Sequence, residues 1–337
     1  MKVLYLHTNQ PDYLAESLLH GLRTLLGKNC VDVPRYDSLY APLEDHLRSK
    51  LRGYGFTIYG LLEDIPDLAH ERYFWQKDLN KYDLIVIANI WSQWEIVWDL
   101  ISLVEPQKLV ILDGSDTPAF FPYTSLGWRI KKRPWSYFVP ISKIKYFKRE
   151  LVGEGYSYAL EKVLPYSLRR WVPLPQNSYP IAFSIPDQKV SPRSMELKSK
   201  DFPKHIVDSE VATKITGSSQ QYPFSSEAEY YDDLTYSRFG ITTKRAGWDC
   251  LRHYELAANG CVLCFRDLDL KPDSCAPHGL DSSNCLIYHN FDELSYKVSS
   301  LTSNEYQKFQ LKTYEWISLN TTVNRAKAFL EICAQSL

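Results

Sequence analysis

Lys244, Arg245, Trp248, Arg252 and Glu255 are the residues whose types and spacing best suit chemistry on a charged, hydroxyl-bearing substrate. Arg245, Trp248, Arg252 and Glu255 recur every three or four positions, and on a helix such residues share one face. That face would hold cations near the helix start and a single carboxylate about two turns deeper. Cationic side chains beside the unpaired N–H groups and positive dipole end of a helix N-terminus suit a diphosphate. A carboxylate beyond them can accept hydrogen bonds from ribose or hexose hydroxyls. The same residues also fit a plain surface helix on which Arg252 and Glu255 only pair with each other, an arrangement worth little.

The elements that must position these groups are readable around them. Phe239 to Thr243 has the β-branched content of a strand, and Lys244 to Gly247 makes a small basic turn. Trp248 to Asn259 is predicted to be a helix that turns Leu251, Tyr254 and Ala258 into a core. Gly260 stops it, and Cys261 to Phe265 is a short apolar strand.

The run from Arg252 to Val262, with Glu255 three residues after Arg252 and then Ala258 and Gly260, resembles the donor-binding helix of GT-B glycosyltransferases. In particular it is similar to the family related to the spore-maturation protein CgeB, over about Ser237 to Leu268. The resemblance implies that Glu255 contacts a sugar nucleotide. Many retaining members carry a second Glu eight residues earlier, and this chain has Gly247 there.

The first half opens with a βα unit: strand Lys2 to His7, then a helix from Asp12 to Leu26 with Leu14, Leu18, Leu22 and Leu25 on one side. It has no G-x-G-x-x-G phosphate loop. His7 and Asp12 fall at the carboxyl end of that strand, where open α/β sheets place ligands, and Asp12 equally fits a helix cap. Further strands are expected at Cys30 to Pro34, Leu84 to Ile90 and Lys108 to Leu112. The last of these ends in Asp113 and Asp116, carboxylates of the type that removes a proton from an attacking hydroxyl, and equally favoured in turns. Residues 36–66 are aromatic, rich in Pro and Gly and without clear periodicity, the pattern of a functional loop or an excursion lining a cleft. Trp91, Trp94 and Trp98 form a stripe better suited to a core than to sugar stacking.

The 337 residues suit about two domains. A net charge of −1 from 39 basic and 40 acidic residues argues against a surface adapted as a whole to nucleic acid. The local exception is Trp128 to Arg149, basic, aromatic and free of acids, which suits anionic lipid headgroups, a diphosphate-linked lipid acceptor or single-stranded nucleic acid. It also fits a plain solvated loop. The N-terminal apolar run is too short for a signal peptide, and no run approaches a membrane span, so the expected location is cytoplasmic, with peripheral contact at the inner membrane surface. Seven scattered cysteines suit reduced core thiols. Cys261 and Cys264 lie on opposite faces of one predicted strand, which argues against their sharing a metal.

Five prolines between Leu164 and Ser191 mark an interdomain connection, followed by a strand at Ile181 to Ile185. The expected fold is α/β, with two Rossmann-like domains facing a cleft in the GT-B manner. The expected domains are 1–175 on the acceptor side, 176–320 for the nucleotide sugar, and a crossover helix over 321–337 that returns to the first domain. The expected activity is glycosyl transfer from a nucleotide sugar, a co-substrate rather than a cofactor, to a glycan or lipid-linked acceptor, in cell-surface polysaccharide synthesis and without a metal. Asp113 or Asp116 would be the base. Lys244, Arg245, Trp248, Arg252 and Glu255 would hold the donor, and His7, Asp12, Arg266 and Asp267 would line the cleft. A sugar-nucleotide-binding scaffold without turnover and a nucleic-acid binder working through residues 128–149 are the rivals.

Overall fold

The computed structural model describes residues 1–8, 10–121, 139–152 and 177–335. Its first sheet has six strands: β1 (Val3–Leu6), β2 (Cys30–Val33), β3 (Leu84–Ala88), β4 (Leu109–Asp113), β5 (Lys145–Lys148) and β6 (Ser178–Pro180). All neighbours are parallel, in the order β2-β1-β3-β4-β5-β6. The register sets Leu4 beside Val31 on one side and Ile85 on the other. β1, β3 and β4 are buried throughout, which is why their sequences are apolar without alternation. Val3, Tyr5 and Val86 face one core while Leu4, Leu6, Ile85 and Ile87 face another.

The second sheet has three parallel strands, β7 (Phe239–Thr243), β8 (Val262–Arg266) and β9 (Leu286–Tyr288), in that order. Between β7 and β8 runs the site helix, Leu251–Ala258. Cys261, just before β8, and Cys264 within it belong to separate cores. The helix Ser303–Leu319 carries a full capping box at Thr302 and Glu305. The last helix, Thr322–Ala334, then crosses back to the first helix, Tyr13–Leu26. The two approach so closely that a Cβ on Gly21 would come within 2.0 Å of the Thr322 carbonyl oxygen. His20 Nδ1 lies 2.9 Å from the Thr322 hydroxyl at the same crossing.

Three sequence expectations are corrected. Ile181 to Ile185 is not a strand. It makes a single bridge, Ile185 to Thr321, and the Phe183 N–H donates to the Asp249 carboxylate at 2.7 Å instead of to a neighbouring strand. The site helix starts at Leu251 rather than Trp248, because Cys250 is extended and the Trp248 and Asp249 amides bond elsewhere. Arg245 and Trp248 therefore do not share a helix face with Arg252 and Glu255.

Third, the cations at the end of the basic stretch are not a surface. Lys145, Lys148 and Arg149 are buried, and Lys145 Nζ donates to the carbonyl oxygens of Gln107 and Cys333, both at 3.2 Å. The earlier part of that stretch, 128–138, lies outside the described residues, as does much of the proline-rich connection. The first sheet continues to Pro180. Trp94 is fully buried, whereas Trp98 is exposed. Among the described residues no helix is long and apolar enough to cross a membrane.

Candidate active site between the two domains

The carboxyl ends of β4 and β5 meet the loop before the site helix. Arg149, just past β5, is wholly buried, and its Nη1 donates to the Asp249 carbonyl at 2.7 Å while Nε donates to the Gly114 carbonyl at 3.1 Å. Its Nη2 is paired with Asp116. Glu150 follows and crosses into the second domain. Its Oε1 accepts from the Trp248 amide at 2.9 Å and the Asp249 amide at 3.3 Å, and its Oε2 accepts from the Cys275 thiol at 3.0 Å. A Cβ on Gly247 would stand 2.4 Å from Glu150 Oε1, so a glycine there makes room for this carboxylate. Asp249 accepts from the Tyr254 hydroxyl at 2.9 Å. Burial raises its carboxyl above the usual range against the pull of Arg149.

Glu255 is buried and both its oxygens are engaged by hydroxyl groups. Oε1 accepts from Thr57, and Oε2 from Tyr230, each at 2.5 Å. Thr57 belongs to the 36–66 excursion of the first domain, so that segment reaches Glu255 on the second. Arg252 stands over the rings of Tyr230 and Tyr222, 5.3 and 5.8 Å from their centroids. It forms no ion pair with Glu255, and its Nη1 is enclosed without a hydrogen-bond partner. A guanidinium so placed has donors left for an anion.

Lys244 and Arg245 are exposed at the end of β7. They line a polar cavity of about 470 Å³ together with Thr243, Asp208, Glu210 and Arg266. Lys244 Nζ lies 4.9 Å from the centroid of the Trp248 ring, which is itself buried. Arg266 is neutralised within this cavity, paired with Asp208 and, at 2.6 Å, with Glu210. Asp267, one residue past β8, accepts from His289 Nδ1 at 2.8 Å.

On the first domain, Asp113 is sealed. Its carboxylate accepts from Tyr146 at 2.5 Å, Trp91 at 2.8 Å, Lys148 at 3.0 Å and the Ser115 amide at 3.0 Å. Burial alone would raise this carboxyl, but Lys148 and those hydrogen bonds outweigh it and hold it below the usual range. Asp116 is half-exposed. His7 is buried, stacked on Tyr36 at 4.1 Å, with its ring nitrogens toward the carbonyls of Thr8 and Pro34. Asp12 caps the first helix through Oδ1, which accepts the Leu14 and Ala15 amides at 3.0 and 3.3 Å. Burial raises its carboxyl despite those two bonds.

Of the residues singled out in the sequence, the structure brings Arg252 and Glu255 together on one helix with Lys244, Arg245 and Trp248 beside it. Thr57, Tyr230, Arg149, Glu150 and Asp249 were not singled out. The signal for Glu150 was its place at a strand's carboxyl end, one residue beyond the basic stretch. Thr57 offered none beyond lying in the aperiodic excursion.

No protein-family model matches the chain, and no curated protein matches it in sequence. Solved structures do resemble it in fold. The trehalose-6-phosphate synthase OtsA superposes with a TM-score of 0.56 at 11% identity, covering 99% of each chain. HepE from Anabaena, in complex with UDP and glucose, superposes with a TM-score of 0.51 at 10% identity, over 99% of this chain and all of the other. With two Rossmann-like halves about a cleft and a last helix returned to the first half, the chain has the GT-B fold.

Proposed function

We propose that the protein is a glycosyltransferase that moves a sugar from a nucleoside diphosphate donor to a hydroxyl acceptor in the cleft. The observation that carries this reading is the pairing on one helix of Glu255, whose two oxygens already hold hydroxyl groups, with Arg252, whose Nη1 has no partner. A donor presents both complements, hydroxyls and a diphosphate. The UDP and glucose bound by HepE, a protein of the same fold, are consistent with it. The likeness of Arg252 to Val262 to the CgeB-related pattern points the same way.

In this reading the acceptor oxygen attacks the anomeric carbon, the bond from that carbon to the diphosphate breaks, and the electron pair leaves with the diphosphate. Arg252, Lys244 and Arg245 stabilise the charge that develops there, work that a metal ion does elsewhere, so no metal is required. Trp248 packs beneath Lys244. The acceptor proton passes to a carboxylate of the first domain. We assign this role to Asp12, whose Oδ2 is not used by the helix cap and whose carboxyl burial makes more basic, with Asp116 as the alternative. Asp113 supports the turn through Lys148 and Ser115. The acceptor, glycan or lipid-linked, is recognised on the first-domain side.

The test is release of nucleoside diphosphate from a panel of nucleotide sugars with a mixed glycan acceptor, in the presence of a chelator. Turnover of one donor class that survives chelation supports the reading, and no turnover with any donor and acceptor opposes it.

A further inference from the structure

The segment from Arg52 to Gly60 belongs to the first domain, but Tyr54, Phe56 and Thr57 within it pack against the second. Tyr54 stacks on Tyr222 with ring centroids 5.1 Å apart and planes 9° from parallel. Phe56 lies 6.2 Å from both Tyr222 and Tyr230. The Thr57 amide donates to Glu227 Oε1 at 2.6 Å, and the Thr57 hydroxyl to Glu255 Oε1 at 2.5 Å. Tyr231 completes the set by donating to the Thr57 hydroxyl at 3.0 Å.

The backbone that delivers Thr57 is strained. Gly53, Tyr54, Gly55, Thr57 and Gly60 all have positive φ, and Thr57, at +73°, is β-branched, a residue type that this region strongly disfavours. The far end of the segment is tied to the first helix, where the hydroxyls of Tyr59 and Tyr36 donate to Glu16.

A threonine hydroxyl is a secondary alcohol, the same group that a ribose or hexose offers a carboxylate. We propose that Tyr54 to Thr57 form an internal plug, in which the Thr57 hydroxyl occupies the carboxylate that receives a donor hydroxyl and must leave before a nucleoside diphosphate sugar can engage Glu255. The plug rests on the reading of Glu255 as the donor carboxylate. Lys244 and Arg245 lie outside the plug and are exposed, so the diphosphate is captured first and the sugar hydroxyls then displace Thr57. Binding favours the unplugged arrangement only by as much as the donor gains over the Thr57 contacts it replaces.

The experiment titrates UDP, GDP, ADP and CDP against the full chain and its Thr57→Val, Thr57→Ser and Tyr54→Ala variants, with inorganic pyrophosphate as a ligand that has no hydroxyls. Valine keeps the branched shape and loses the hydrogen bond, while Tyr54 is 47% exposed, so its replacement is expected to cost the fold little. The nucleotide that binds the wild type binds Thr57→Val and Tyr54→Ala about fivefold to tenfold more tightly. Thr57→Ser binds as the wild type does, and pyrophosphate affinity is the same throughout. Hydrogen exchange of residues 53–60 quickens when the nucleotide is bound. Unchanged or weaker nucleotide binding in Thr57→Val, or slower exchange at 53–60, overturns the plug. If that binding is also lost in Arg252→Ala, the donor site stands and only the plug falls. No binding of any nucleotide to the wild type or the variants overturns the donor site and the plug together.

Discussion

Glu255 holds two hydroxyl groups where Arg252, three residues before it, leaves a guanidinium nitrogen unused. This difference sets what each should do when substituted. Glu255→Ala is expected to weaken binding of the donor by about 1.5–3 kcal/mol, as for charge-assisted hydrogen bonds in a buried site. Calorimetric titration checks this, and an effect near zero would make Glu255 a bystander. Asp12→Asn separates two duties of one side chain. Asparagine caps a helix about as well as aspartate, so the melting temperature is expected to hold, while loss of the base lowers kcat by roughly 10²–10⁴-fold. The same loss in Asp116→Asn, with Asp12→Asn unaffected, would move the proton transfer to Asp116. The helical pair Arg252 and Glu255 was legible in the sequence because their chemistry and spacing are local. Thr57, which reaches Glu255, and Glu150, which takes the amides before the helix, were not, because they come from distant positions in the chain and no periodic pattern encodes such an approach.

At the scale of elements, the first helix has two jobs, closing against the last helix and anchoring the excursion. Gly21 permits the first. Gly21→Ala drives a methyl into the Thr322 carbonyl and is expected to destabilise the fold by at least about 1–3 kcal/mol, read as a lower unfolding midpoint in denaturant. An unchanged midpoint would mean that the two helices part without cost.

Glu16 performs the second. It is buried on the same helix, and burial pushes its carboxyl up to about 8 although Tyr59 and Tyr36 donate to it. Its folded pKa lies above the unfolded value near ~4.3, so its contribution to stability is whole below that value and is lost as pH rises through about 8. Glu16→Gln removes this dependence. The variant should melt with the wild type near pH 4 and above it by several degrees at pH 8, and an equal difference at both values would contradict the assignment.

The apolar runs of β1, β3 and β4 announced their strands, since strands buried on both faces need no alternation. The start of the site helix was misplaced because Glu150 takes the amides of Trp248 and Asp249, and a propensity reading does not see a distant carboxylate. Ile181 to Ile185 has strand composition, but its backbone is spent on Asp249 and Thr321.

The whole molecule is held by contacts that cross between its halves. Arg149 and Glu150 grip the loop before the site helix, Thr57 reaches Glu255, and the last helix lies along the first. The two-domain plan was legible from length, from two sets of apolar strands and from the terminal amphipathic helix. The seam between the halves was not, because it is built by loops. In the proposed reading the donor groups sit on one domain and the base on the other, and closure of two such domains on the donor would exclude water that hydrolyses it.

The central claim is that helix Leu251–Ala258 binds a nucleoside diphosphate through Arg252. The direct measurement is the melting temperature of the wild type and of Arg252→Ala against a panel of nucleoside diphosphates, with and without chelator, because a ligand bound only to the native state raises it. The account predicts a rise with one nucleotide class, unchanged by chelator and absent in Arg252→Ala. No rise with any nucleotide, or a rise that persists in Arg252→Ala, would contradict it.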